Sequence, residues 1–390
     1  MKEKAKSIFF ALLRSVLYGD RLTDNEKAEF TAEVLPEIYK IARKHDLAHI
    51  LLRALNENGI VLSDSEWQAR LEHLQFQAVY RYEQSVYELS EISEILSKGN
   101  IPFIPLKGAI IRNYYPEAWM RTSCDIDVLV HEEDLDRAVS LLTEGGWIAK
   151  EKRDYHDISL TSQSGAHLEL HFNIRENMNN LDTVLDKVWE YSAPTESGSC
   201  EYRQSNEFLM FHLLAHMSYH FVAGGCGIRS FMDICLLREK ISFSDSALYG
   251  LCESANITAF YDNVIALCGV WFGKESHTDI TKQIEHYVIS GGVYGSSENR
   301  IAVDQARAGG KRKNLVRRIF MPYDTLKIKY PKLDGHKWRT PFYQILRWWH
   351  MLTKGRLKKS INELNINNSK TDAEIRETEI FLNSIGLKNR

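Results

Sequence analysis

The 390-residue chain has few cysteines, and none of its six form a Cys-x-x-Cys pair. Cys124, Cys200, Cys226, Cys235, Cys252 and Cys268 lie far apart. This argues against a thiolate zinc site and against a disulfide-stapled secreted scaffold, and scattered reduced thiols fit the cytoplasm. Long apolar runs are missing too. No uninterrupted segment approaches the ~18 residues that a spanning helix needs, so no transmembrane segment is expected and only peripheral membrane contact stays open. Near the start, Arg14 breaks the run Ile8–Leu13, and no small-residue cleavage site follows, which argues against a signal peptide. There is no strong charge excess either. A net charge of −3 gives no global pull toward nucleic acid or anionic lipid, although local patches remain open. Internal repeats and low-complexity linkers are also absent. The chain is 44% hydrophobic and 26% charged, an ordinary globular composition with length for two or three domains.

Three regions follow from the patterning. Residues 1–99 read as helical, with apolar residues at helical spacing and Asp64 as N-cap of a long helix to Ser97, stopped by Gly99-Asn100. A second helical stretch, Asn25 to His45, is divided by Pro36. Residues 100–200 change period. Short apolar runs at Ile101–Leu106, Cys124–Val130, Trp147–Lys152, Asp157–Thr161 and Ala166–Asn173 read as strands, with an amphipathic helix at Glu132–Glu144. Residues 201–390 return to helix at Phe208–Phe221, Ser230–Glu239, Asp245–Val270, Pro341–Leu357 and Asp372–Ile385. The fold class expected is therefore α+β, a small mixed sheet set in a mainly helical protein.

Chemistry concentrates in the middle region. Residues two apart on a strand point the same way, so Asp125 and Asp127 share a face. Two adjacent carboxylates repel and are costly to bury unless a cation sits between them; magnesium, an oxygen-binding ion that bridges to phosphates, suits the pair. A solvated pair at a strand edge is the plain alternative. Lys107-Gly108 ends the preceding strand, where glycine lets a phosphate approach the backbone, and Lys107 and Arg121 are candidate phosphate contacts. Glu169 lies on a later strand, in phase with His167 and His171. If that strand neighbours the Asp pair, Glu169 becomes a third carboxylate, for a second metal or as base, with His171 its rival.

Leu106-Lys107-Gly108-Ala109, Arg121 with Asp125-Ile126-Asp127, and Leu168-Glu169-Leu170-His171-Phe172 together resemble the uncharacterised bacterial nucleotidyltransferase family of the polymerase-β-like superfamily. The looser likeness extends over His212, His216, His220, Gly227-Ile228-Arg229, Asp233 and Gly291-Gly292, so that it spans roughly residues 64 to 350. The resemblance implies that Gly108 is the phosphate-turn glycine, that Asp125 and Asp127 are metal ligands and that Glu169 is the third acid. Ala109 departs from the serine or glycine usual in the superfamily and supplies no hydroxyl.

The expected activity is metal-dependent transfer of a nucleoside monophosphate from a nucleoside triphosphate, such as ATP, to an acceptor hydroxyl, with Mg2+ or Mn2+. The acceptor stays open between small molecule, saccharide, protein and RNA. A nucleotide-sugar glycosyltransferase and a degenerate, non-catalytic nucleotide-binding protein are the alternatives. Arg229 and Asp233, four apart on a helix, are expected to pair, with an Arg229–phosphate contact left open. The three histidines at 212, 216 and 220 share one helix face. A basic cluster at Lys311, Arg312, Lys313, Arg317 and Arg318 precedes a helix bearing Arg347, Trp348, Trp349, Lys354, Arg356, Lys358 and Lys359. For the cluster the choice is between a triphosphate or nucleic-acid backbone and a solvated basic face, and for the helix between a membrane surface and a tryptophan-packed helix with a wet basic side.

Overall fold

The computed structural model describes residues 2–387 apart from 151, 152, 154, 294 and 354–356. The fold is α+β and mainly helical. Its centre is a five-stranded mixed sheet of β1 (Phe103–Pro105), β2 (Ile126–Val130), β3 (Ile148–Ala149), β4 (Asp157–Thr161) and β5 (His167–His171), in the order β1-β2-β5-β4-β3. Only β2 and β5 are parallel; the other neighbours are antiparallel. A separate two-stranded ribbon pairs β6 (Ser192–Pro194) with β7 (Tyr202–Gln204).

The period-2 pattern of the strands decides what each sheet face meets. Ile126, Val128, Val130, Leu168 and Leu170 point into a compact core with Ile92 and Leu96 of α1 (Ser65–Lys98) and Leu135, Ala138 and Leu142 of α2 (Leu135–Glu144). Ile104, Leu106 and Leu129 point the other way, into a continuous core that runs from Ala5 to Leu387 and joins N- and C-terminal helices. Asp127, Glu169 and His171 share that second side, so the acids face the helical body.

Helix α1 begins where Asp64 accepts from the backbone N–H of Glu66 and Trp67, and it stops at Gly99, followed by Asn100 at φ 50°. The division at Pro36 holds: helices cover Asp24–Glu29 and Leu35–Lys44, with the proline in the first turn of the second. Other expectations need correction. The first strand is three residues rather than six. The second starts at Ile126, so Asp125 is the residue before it. The strand expected at Trp147–Lys152 is a two-residue pairing, and Lys152 lies outside the described residues. Asp245–Val270 is two helices, Asp245–Ser254 and Thr258–Phe272, because Asn256 adopts φ 57°, which no helix accommodates. Of the helix expected at Pro341–Leu357, the described part is Thr340–Thr353, and a helix at Leu357–Ser369 covers the polar stretch beyond. Lys354 and Arg356 lie outside the described residues, as do the side chains of Lys358 and Lys359.

Candidate active site

Parallel pairing sets Asp127 opposite Glu169 and Leu129 opposite His171. The imidazole of His171 consequently lies between two carboxylates. Its Nε2–H donates to Asp127 Oδ1 at 3.0 Å and stands 3.6 Å from Glu169 Oε2. Lys107 Nζ approaches the same Asp127 oxygen at 3.2 Å. Burial alone would push the Asp127 carboxyl up, but Lys107 and His171 overcome it and hold the group well below the usual carboxylate range. Burial opposes charge on His171 as well, yet the hydrogen bond to Asp127 and the nearby Glu169 carboxylate raise its pKa. The bond from His171 also lowers Glu169. His156 stacks on His171 with ring centroids 5.3 Å apart.

Lys107 reaches this position through an unusual backbone. The amide of Leu106 donates to the Asp127 carbonyl at 2.9 Å, which ties the end of β1 to β2. The next residue, Lys107, turns to φ 44° and ψ −115°, a region that costs a non-glycine residue on the order of 1–3 kcal/mol. The chain then enters a four-residue helix, Gly108–Ile111. A Cβ on Gly108 would stand 3.1 Å from Ser123 Oγ and 3.5 Å from Arg121 Nη1, so glycine permits the close approach of the loop that carries Asp125.

Asp125 accepts from Ser123 Oγ at 3.0 Å. Burial raises its carboxyl, and the negative charges of Asp127 and Glu169 raise it further. Three carboxylates close enough for Asp127 and Glu169 to raise Asp125 are a donor set that suits a hard, oxygen-binding divalent cation. Single donor atoms of Asp127, Glu169 and His171 lie within 4.8 Å of one another, which is compatible with one ion. Asp127 and Glu169 would hold it, Asp125 lines the same cavity, and the Nε2–H of His171 orients Asp127.

The two arginines are engaged elsewhere. Arg121 Nε donates to both oxygens of Asp233, at 2.8 and 3.0 Å, and Tyr115 Oη donates to Asp233 at 2.6 Å. Arg229 Nη1 donates to Asp46 Oδ2 and to the Thr122 carbonyl, both at 3.0 Å. The expected Arg229–Asp233 pair is thus replaced. Spacing along one helix loses to partners that tertiary packing brings closer: Arg121 from the loop before β2, and Asp46 at φ 55° after the helix Leu35–Lys44. Both guanidiniums still line the cavity in front of the acids, which has a volume of about 400 Å³.

The opposite wall comes from α3 (Asn206–Val222), capped by Ser205, whose side chain accepts from the Phe208 amide. His212, His216 and His220 do share its cavity face. His216 Nδ1 donates to Glu176 Oε1 at 2.6 Å, and His220 Nε2 donates to His216 Nε2 at 3.0 Å. Gln204 Nε2 donates to His212 Nδ1 at 3.2 Å. Burial pushes His212 and His216 well below the ordinary histidine value and His220 down to about 3, so all three are neutral. Burial raises the Glu176 carboxyl. Reading the residues alone overlooks Glu176, Arg175 and His156. The signal available was a charged Arg175-Glu176-Asn177 turn just beyond the strand that carries Glu169.

The family described as uncharacterised nucleotidyltransferase matches the chain over residues 33–273, more than half its length and including every site residue named above. No curated protein matches it.

Proposed function

The chain belongs to this uncharacterised nucleotidyltransferase family, and from that membership we propose a metal-dependent transfer of a nucleoside monophosphate from a nucleoside triphosphate to an acceptor hydroxyl. The observation that carries the reading is the acid face: Asp127 and Glu169 directly opposite on parallel strands, with Asp125 beside them, raised by burial and by their charge. In the proposed step the acceptor oxygen forms a bond to the α-phosphorus as the bond to the bridging oxygen breaks. Pyrophosphate leaves with that electron pair, and the acceptor proton passes to a carboxylate. Magnesium or manganese bound to the acids would supply charge neutralisation at the phosphates.

The remaining roles fall to this chain's own side chains. Glu169 is the candidate proton acceptor, because it is the more exposed of the two facing acids and, unlike Asp127, does not carry the Lys107 contact. His171 is occupied as a donor and serves better to orient Asp127 than to take a proton. Lys107 places a fixed positive charge on the floor of the cavity, and Gly108 gives room for phosphate beside it. Arg121 positions the Asp125 loop through Asp233, while Arg229 offers positive charge from the far wall. Ala109 supplies no hydroxyl, so phosphate binding rests on these cations.

The test uses labelled nucleoside triphosphates with magnesium or manganese and the full chain. Asp127→Asn should bind the metal–nucleotide complex poorly and lose transfer, while circular dichroism keeps its helical signature. Undiminished transfer by that variant would sink the assignment. A nucleotide-sugar glycosyltransferase draws no support from the fold, since only the three-residue β1 precedes the acid pair in the sheet.

A further inference from the structure

The most unevenly charged part of the molecule lies outside the segment that matches the family. Between residues 311 and 353 there are eleven lysines and arginines against two aspartates, in a chain whose net charge is −3. The same segment leaves large apolar side chains in water. On α4 (Thr340–Thr353) Phe342, Ile345, Trp349 and Leu352 are each about three-fifths exposed, and Trp338, in the turn leading into the helix, is three-quarters exposed. Their spacing of four, three, four and three residues places them in one stripe.

The stripe is fixed in its outward orientation. Trp348 Nε1 donates to the Ile319 carbonyl at 3.1 Å, Arg347 donates to the same carbonyl at 2.6 Å, and buried Gln344 donates to the Met321 carbonyl. These bonds dock the inner side of α4 onto the end of the basic helix Lys311–Ile319. That helix adds exposed Val316, Ile319 and Phe320 to the patch, and the Phe320 ring meets Trp348 edge-on at 5.6 Å. Arg312, Arg317, Lys332, Lys337 and Arg339 of the same segment are also exposed, and the Arg339 guanidinium lies 4.8 Å over the Trp338 ring.

Scattered exposed apolar side chains need no explanation, but a row on one helix face within so basic a segment does. Two copies of so basic a face repel each other. Nucleic acid uses cations and aromatic stacking but has no use for Val316, Ile345 or Leu352. An anionic bilayer interface satisfies all three features: aliphatic residues enter the acyl boundary, tryptophans sit at headgroup level, and the basic rim meets the negative surface potential. No helix among the described residues is long and apolar enough to cross a membrane, so the contact lies in the interface plane. We propose that the face formed by Trp338, Phe342, Ile345, Trp349 and Leu352, with its basic rim, docks the protein on an anionic phospholipid surface.

The test is co-sedimentation of the full chain with phosphatidylcholine vesicles, pure or equimolar with phosphatidylglycerol. Binding is expected to the mixed vesicles only and should fall as salt is added. Phe342→Glu with Trp349→Glu should weaken it at least about tenfold, since two large apolar side chains leave the interface. Arg312→Glu with Arg317→Glu should weaken it independently. Uncharged Ile345→Ser with Leu352→Ser should also weaken it, which separates lost contact from misfolding of the glutamate variants. No binding to mixed vesicles, or binding that survives all three pairs, overturns the proposal. So does an occupant of another class: self-association by sedimentation velocity, or binding of a single-stranded homopolymer RNA, that is lost in the Phe342/Trp349 variant while vesicles are ignored.

Discussion

At the scale of single residues, the acid face depends on a few side chains that cannot change role. Asp127 carries both Lys107 and His171 on one oxygen, so Asp127→Asn removes the negative charge that Lys107 and His171 face and should lower transfer by more than about a hundredfold. His171→Asn keeps the acids but loses the imidazole N–H that orients Asp127; manganese titration should show affinity reduced roughly 10–100-fold, the usual effect of losing a group that holds a metal ligand in place. Gly108→Ala presses a methyl group against Ser123, the partner of Asp125. The expected result is a small fall in melting temperature with a larger fall in kcat, measured on the same preparation. The acids themselves were legible in the sequence, because strand period alone puts Glu169 in phase with His171. The conformation of Lys107 was not legible. A positive φ at a lysine contradicts local preference and is tolerated only because the Leu106–Asp127 backbone bond and the Asp127 carboxylate hold both ends of the turn.

At the scale of elements, the loop that delivers Asp125 is clamped to the helix Ile228–Lys240 by Arg121 and Asp233, whose side chains are 10% and 5% exposed. Removing one partner of such a pair strands a buried charge, so Asp233→Asn or Arg121→Met should each cost roughly 3–5 kcal/mol in urea unfolding, with the double variant costing less than the sum. The sequence suggested another pairing, Arg229 with Asp233, because i,i+4 spacing is the only geometry that one helix reveals. Partners from other elements cannot be seen at that level. The same limit explains Glu176 and His156, which join the site only because the turn after β5 and the start of β4 meet α3 across the cavity. It explains the break at Asn256 too, where an apolar pattern of helical period continues across a residue whose backbone does not. Strand existence was legible throughout, whereas strand length was shorter than the apolar runs: side chains such as Ile101 are buried without joining the ladder.

At the scale of the whole molecule, one continuous core links helices from both ends of the chain to the second face of the sheet. Acid should weaken it in a defined window. Burial lowers the pKa of His45 from 6.5 to about 4, so its neutral form is the stable one in the fold. The unfolded chain takes up the proton first as pH falls, and the stability contributed by neutral His45 is complete above 6.5 and lost between 6.5 and about 4. That loss is on the order of 3 kcal/mol, and urea melts across the window should flatten in His45→Asn. The parallel pairing of β2 with β5 has its own consequence at this scale. Asp127 and His171 stand 44 positions apart in the chain, separated by a helix and two strands. They meet only after that whole excursion has closed, the slow kind of contact in folding. In a chain still folding, these donor groups are therefore not yet together. A divalent ion held by them would not template the early steps; it would bind once the sheet has closed and stabilise the finished pairing.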